Sequence, residues 1–155
     1  MKKVKAAFLA FQVSIYSYNI KDQLQYPRKI YIIDNGLRNA VTFRFAEDRG
    51  RLLENLVFCQ LHRQRDYEIY YWANKNGLEV DFVVKRGTEI TDLIQGCESL
   101  SDTRTKQREM RALLKAMDEF GLNTGTILTY DEFSTEKIDD KHINIKPTWL
   151  WLLES

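Results

Sequence analysis

The chain has 155 residues, enough for one domain with a buried core, and 44% of them are hydrophobic, which excludes an intrinsically disordered chain. Lys and Arg number 23 against 22 Asp and Glu, so net charge does not point to a polyanionic partner and only a local basic patch could. Cys59 and Cys97 lie far apart, with no CxxC spacing and no histidine placed to complete a zinc site, so the expected compartment is the reducing cytoplasm.

Residues 1–28 read as an N-terminal segment, the remnant of a preceding domain, with the main domain expected over 29–155. The opening Met-Lys-Lys-Val-Lys followed by Ala6 to Ala10 has the look of a signal-peptide start, but Gln12 and Ser14 interrupt its apolar run. No run approaches the ~20 apolar residues of a membrane span. Lys29 to Asp34 is a strand of β-favouring residues closed by the turn signal Asp34-Asn35-Gly36.

A helix is predicted near 47–65. Glu54 is conspicuous on it, because Val57, Phe58 and Leu61 follow at i+3, i+4 and i+7 on the same stripe. Three strands then form an antiparallel meander: Tyr67 to Ala73, Leu78 to Val84 after the hairpin turn Asn74-Lys-Asn-Gly77, and Glu89 to Gly96. A second helix runs from Thr103 to Phe120, with Asp102 as N-cap and Gly121 as its stop. The crossover places the next strand, Gly125 to Tyr130, parallel to its predecessor. Residues 131–140 read as a polar loop, His142 to Ile145 as an edge strand, and Trp149 to Leu153 as a short apolar terminus.

The order helix, three strands, helix, strand, with Glu54 in the first helix, Asp81 in the second strand and Gln95-Gly-Cys97 in the third, resembles the core of the PD-(D/E)XK nuclease superfamily. More narrowly, Lys29-Ile-Tyr-Ile-Ile-Asp-Asn-Gly-Leu37, Gly50-Arg-Leu-Leu-Glu-Asn-Leu-Val-Phe58 and Gly77-Leu-Glu-Val-Asp-Phe82 resemble the uncharacterised C-terminal domain of archaeal and bacterial AAA-type ATPases. The resemblance implies an α/β fold of the restriction-endonuclease-like type, a mixed sheet flanked by helices. It also implies an ATPase domain in the same or a related chain. No GxxxxGK[ST] phosphate loop is present, so ATP hydrolysis by this chain itself is not expected.

By position, the resemblance implies a site for Mg²⁺ or Mn²⁺, with Glu54, Asp81, Glu79 and Gln95 as metal ligands. Asp81 and Gln95 stand in the catalytic strands, and Cys97 takes the place of the motif lysine. Hard oxygen ligands suit such an ion, which activates water while a lysine steadies charge on the phosphate. Period-two geometry independently puts Glu79, Asp81 and Val83 on one strand face and Leu93, Gln95 and Cys97 on one face of the neighbour, where they are expected to converge.

Gln95 brings no charge and Cys97 no ammonium, so the site is expected to be impaired unless other groups compensate. Lys106, on the inward side of the second helix, is the candidate for a relocated lysine, and Glu79 for a replacement carboxylate. On this reading, restoring Glu at 95 and Lys at 97 should strengthen metal binding. Arg104, Arg108, Arg111 and Lys115 form a basic stripe that would track the phosphates of nucleic acid, or else a solvated face. Two function classes stay open: a nuclease-like domain that binds nucleic acid, and a non-catalytic module that docks a protein partner.

Overall fold

The computed structural model describes residues 9–36 and 49–154. Among them, β3 (Tyr67–Ala73), β4 (Glu79–Arg86), β5 (Glu89–Gly96), β6 (Thr124–Thr129), β7 (Ser134–Ile138) and β8 (Lys141–Pro147) form a six-stranded sheet in the order β3-β4-β5-β6-β8-β7. β3, β4 and β5 are an antiparallel meander, β5–β6 and β6–β8 pair in parallel, and β7–β8 is an antiparallel hairpin. The architecture is mixed α/β, and the strands before the crossover fall where their β-branched and aromatic residues place them.

Helix α3 (Thr103–Phe120) packs on one face of this sheet through Ala112, Leu113, Ala116 and Met117. Asp102 caps its first turn by accepting from the Thr105 N–H at 2.8 Å, and Gly121 ends it in the left-handed conformation at φ 67°. Helix α2 (Arg49–Arg63) covers the other face through Leu53, Val57, Phe58 and Leu61. The C-terminal helix α4 (Thr148–Glu154) joins that side through Trp151.

Three elements depart from the sequence reading. Ser134–Ile138, expected within a polar loop, is the edge strand β7, whose alternation of polar side chains is what an outer strand facing water tolerates. β8 was expected at the edge and instead lies inside the sheet between β6 and β7, with Ile143 and Ile145 buried. The terminal apolar run, to which the sequence reading gave no secondary structure, is helical.

Part of the N-terminal segment also belongs to the body of the fold. β1 (Ala10–Val13) pairs antiparallel with β2 (Lys29–Ile32), and the short helix α1 (Ile20–Gln25) lies between them. Val13 and Ile15 are buried in the α2-side core, and a parallel bridge from Ile15 to Tyr71 extends the sheet edge beyond β3. Asn55 clamps the hairpin to α2: its buried carboxamide accepts from the Ile32 N–H at 2.8 Å and donates to the Ile32 carbonyl at 2.8 Å and to Asn35 Oδ1 at 2.9 Å.

Replacing that clamp strands the Ile32 N–H, leaves the Ile32 carbonyl only the Cys59 thiol at 3.3 Å and removes the bond to Asn35, and a polar group left unpaired away from water costs roughly 1–3 kcal/mol. Asn55→Ala is therefore expected to lower the unfolding free energy by about 2–4 kcal/mol. Urea denaturation measures it, and a change below about 0.5 kcal/mol would show that Asn55 is not the clamp.

Candidate functional site

Lys29 is the first residue of β2, and its side chain reaches across to the start of β4. Its Nζ lies 2.6 Å from Glu79 Oε1, 2.7 Å from Asp81 Oδ1 and 3.0 Å from Glu54 Oε1. Three carboxylates, one from α2 and two from β4, thus converge on a single ammonium. The Tyr31 hydroxyl donates to the same Glu54 oxygen, and the Tyr31 ring stacks on Phe58 at 4.5 Å. Lys29 also lies over the Tyr71 ring, 5.6 Å from its centroid.

Asp81 reaches this cluster because β4 is irregular there. Tyr70 pairs with Val83 but Trp72 pairs with Val80, so β4 carries one extra residue opposite Tyr71, a β-bulge. Val80 and Val83 consequently face the α3-side core, whereas Phe82 and Val84 face the α2-side core. On the far side of β4, the ladder with β5 runs only as far as Phe82–Ile94. Beyond that pair side chains bridge the two strands: Asp81 Oδ2 accepts from the Gly96 N–H at 2.9 Å, and Gln95 Oε1 accepts from the Asp81 N–H at 3.0 Å. Gly96 suits this spot because a Cβ there would meet Leu53 Cδ2 at 3.1 Å and Asp81 Oδ2 at 3.6 Å.

The expected grouping of Asp81 with Gln95 therefore needs correction. Gln95 follows Leu93 and Cys97 to the α3 face, where its Nε2 donates to Glu109 Oε2 at 2.8 Å, while the Asp81 carboxylate lies on the α2 face with Lys29. Gln95 supports Asp81 through its backbone and does not share its oxygens. Cys97 packs in the α3-side core, its Sγ 3.1 Å from the Ser99 carbonyl, and burial together with the Glu109 charge pushes the thiol up to about 11. No cation stands in its place.

Lys106 is corrected as well. It pairs with Glu136 of β7 at 2.7 Å, at the sheet edge opposite β3, and takes no part in the acid cluster. The lysine beside the acids is Lys29, the first residue of one of the three stretches that carry the narrower resemblance, to which the sequence reading gave no role in the site. Its signal in the sequence was a cation opening a short strand of otherwise apolar and aromatic residues, Lys29-Ile-Tyr-Ile32. Of the basic stripe, Arg108 is engaged by the buried Glu109 carboxylate through Nε and Nη2, whereas Arg111 and Lys115 line a groove beside the β3–β4 turn. Arg104 lies exposed in the first turn of α3.

The acid cluster opens into a cleft of about 410 Å³ walled by Lys29, Tyr31, Arg51, Glu54 and Glu79. Burial pushes the Asp81 carboxyl up to about 7; the Lys29 charge opposes this and the Glu54 charge adds to it. Burial would lower the Lys29 pKa, but the attraction of Asp81, Glu54 and Glu79 outweighs it and raises that pKa above the ordinary lysine value. Burial, reinforced by the Glu54 charge, likewise raises Tyr31 and keeps its phenol a donor. As they stand, the acids are spaced by the ammonium, and among the described residues no group of three or more His, Cys, Asp or Glu side chains is arranged to hold a metal ion.

A family model described as a domain of unknown function, DUF4143, matches residues 49–151. The chain belongs to the DUF4143 family. The chain is 37% identical over 155 residues to an uncharacterised protein, MJ1544, of Methanocaldococcus jannaschii, an alignment that covers 95% of this chain and 34% of that protein. It is 32% identical over 84 residues to an uncharacterised protein of Haemophilus influenzae, covering 54% of this chain and 20% of that one. The chain therefore spans about a third or less of the length of these relatives. No solved structure matches. Lys29 and Tyr31 lie before the stretch covered by the family model, so the site combines the matched region with the hairpin that precedes it.

Two outcomes follow from this geometry. Gln95→Glu sets a second carboxylate against Glu109 and removes the donor it relies on, and Cys97→Lys places an ammonium in an apolar core. The double variant is expected to lose about 3–5 kcal/mol of stability in urea denaturation and to gain no Mn²⁺ affinity. Retained stability with tighter Mn²⁺ binding would instead favour convergence at residue 95.

The second outcome concerns pH. The folded-state pKa of Asp81 lies above its ordinary value of 3.8, so the folded state holds a proton that the unfolded chain has already lost. Its contribution to stability is favoured at low pH and declines as pH rises from about 4 to about 7. In chelator-containing buffer, the Tm of Asp81→Asn relative to the parent should climb across that window and level off above it. A difference that is flat or falls would contradict the assignment.

Proposed function

We propose that this domain is a nuclease-like module of the PD-(D/E)XK type that acts on the phosphodiester bonds of nucleic acid, with Glu54, Glu79, Asp81 and Lys29 as its site. The observation that carries this reading is the convergence of three carboxylates on one ammonium in an open cleft, beside a bulged strand. Three acids and a lysine are the side-chain types that metal-assisted phosphodiester hydrolysis employs. The element order of helix, three strands, helix and parallel strand supports the same reading.

The donor types are those of a hard divalent cation, three carboxylates around one cationic centre, although the Lys29 ammonium occupies that centre and spaces them more widely than a bound ion would. Glu54, Glu79 and Asp81 would hold Mg²⁺ or Mn²⁺, which when bound polarises a phosphate and lowers the pKa of water. The protein's own groups set the rest. Tyr31 fixes the Glu54 carboxylate, the Gly96 N–H fixes that of Asp81, and Lys29, once an ion took its place among the acids, would stand in the cleft as a cation for a phosphate oxygen.

An accessory role beside an AAA-type ATPase in the cytoplasm completes the proposal, and the greater length of the M. jannaschii relative leaves room in that protein for other domains. Among the described residues no helix is long and apolar enough to cross a membrane. A second reading, a docking module, is favoured by an apolar groove of about 590 Å³ between α2 and α4, where Leu52, Leu56, Tyr130, Trp149 and Leu152 come together.

Cleavage of labelled single-stranded, double-stranded and branched oligonucleotides with Mg²⁺ or Mn²⁺ tests the first reading. Activity is expected to vanish in Asp81→Asn and to fall roughly a hundredfold or more in Lys29→Met, with folding checked by circular dichroism. A folded parent that neither takes up Mn²⁺ nor cuts any substrate would pass first place to the docking module.

A further inference from the structure

The groove on the α3 face is a second surface with ligand-binding chemistry, separate from the acid cleft. It has a volume of about 590 Å³, and its floor is apolar, formed in part by the half-buried Met110 and Leu114. Gln107, Arg111 and Lys115 follow one another at helical i, i+4, i+8 spacing along one wall, so the two cations stand about 6 Å apart along the axis. Neither Arg111 nor Lys115 has a hydrogen-bond or ion-pair partner among the described residues. The acidic group on this wall, Asp118, is already paired with Lys141 at 2.7 Å.

The opposite wall is the β3–β4 turn. Asn74 Oδ1 accepts from the Asn76 and Leu78 N–H groups at 2.9 and 3.0 Å, and Gly77 takes φ 77°, which fixes the turn and carries Asn76 on the groove. The chain passes from Leu78, a groove residue, directly to Glu79 in the acid cleft. One hairpin end thus separates the groove on one sheet face from the acids on the other.

The geometry points to single-stranded nucleic acid as the ligand of this groove, an inference that rests on the nuclease-like reading and names its substrate class. Two cations in a row, neither within ion-pair distance of an acid among the described residues, match successive phosphates, the apolar floor of Met110 and Leu114 accepts base faces, and the amides of Asn76 and Gln107 can meet base edges. A strand seated there can turn over the narrow β3–β4 hairpin toward Glu79. A stiff duplex would have to bend sharply to do so.

Fluorescence anisotropy with labelled single-stranded and duplex 15-mers in EDTA separates binding from cleavage. The expected result is salt-sensitive binding of the single strand in preference to the duplex. Arg111→Ala/Lys115→Ala should weaken it at least tenfold and reduce the slope of log K against log salt by about 1.4, the loss of two phosphate contacts. Arg63→Ala/Arg65→Ala, which removes two exposed charges elsewhere, should leave it unchanged.

No measurable binding at 50 mM salt, equal loss in both double variants, or uptake of an acidic amphipathic peptide in place of the oligonucleotide overturns the inference. Groove-dependent binding without metal-dependent cleavage would uphold the groove and defeat the hydrolytic site. Cleavage with KM unchanged in Arg111→Ala/Lys115→Ala would do the reverse.

Discussion

The Lys29 ammonium is the contact on which the rest of the site depends. Glu54 and Asp81 are largely shielded from water, and without a cation between them their like charges would oppose the packing of α2 against β4. Lys29 relieves that repulsion and in doing so ties the β1–β2 hairpin to the main sheet. The anchorage has three further parts: the Asn55 clamp on Ile32, the stacking of Tyr31 on Phe58, and the bond from the Tyr71 hydroxyl to the Pro27 carbonyl. The hairpin is therefore both a structural cover and the source of the cation that pairs with Asp81.

The bulge in β4 explains how one aspartate can serve two faces of the sheet. Its carboxylate turns to the α2 side, whereas its N–H, released from the regular ladder, is taken by Gln95 on the α3 side. Glu109 then holds Gln95, and Arg108 balances Glu109 at the surface. Every link in this chain is neutral or charge-compensated. That is how a buried carboxylate at position 109 is accommodated without a metal.

Much of the scaffold was legible because local signals agreed with tertiary needs. The cap Asp102, the stop Gly121 and the apolar stripe of α3 all marked the same helix, and the meander strands carried strong β-formers. β7 was hidden because a water-facing edge strand has the composition of a loop, and β8 because its interior position depends on pairing with β6 from across the chain. The site was legible as a set of acids, Glu54, Glu79 and Asp81, but not as a geometry. Period-two alternation assumes a regular strand, and a single extra residue at Asp81 sends Gln95 and Asp81 to opposite faces. Lys29 was missed for a related reason: its contact with Asp81 spans 52 positions, a separation on which no local periodicity reports.

The charge balance of the cleft bears on how it could meet a polyanion. At its centre three carboxylates face one ammonium, an excess of negative charge that repels a phosphate while it persists. Protonation of Asp81 removes part of that excess, and a divalent ion would bring the centre to neutrality. Neither change gives this set of three acids and Lys29 a net positive charge. Cations outside that set can supply the attraction, and on α3 the groove wall presents Arg111 and Lys115, neither within ion-pair distance of an acid among the described residues, while Lys106, Arg108 and Lys141 are each held by a carboxylate. Capture and chemistry are thereby divided between the two faces of one sheet, with the β3–β4 hairpin as the passage between them.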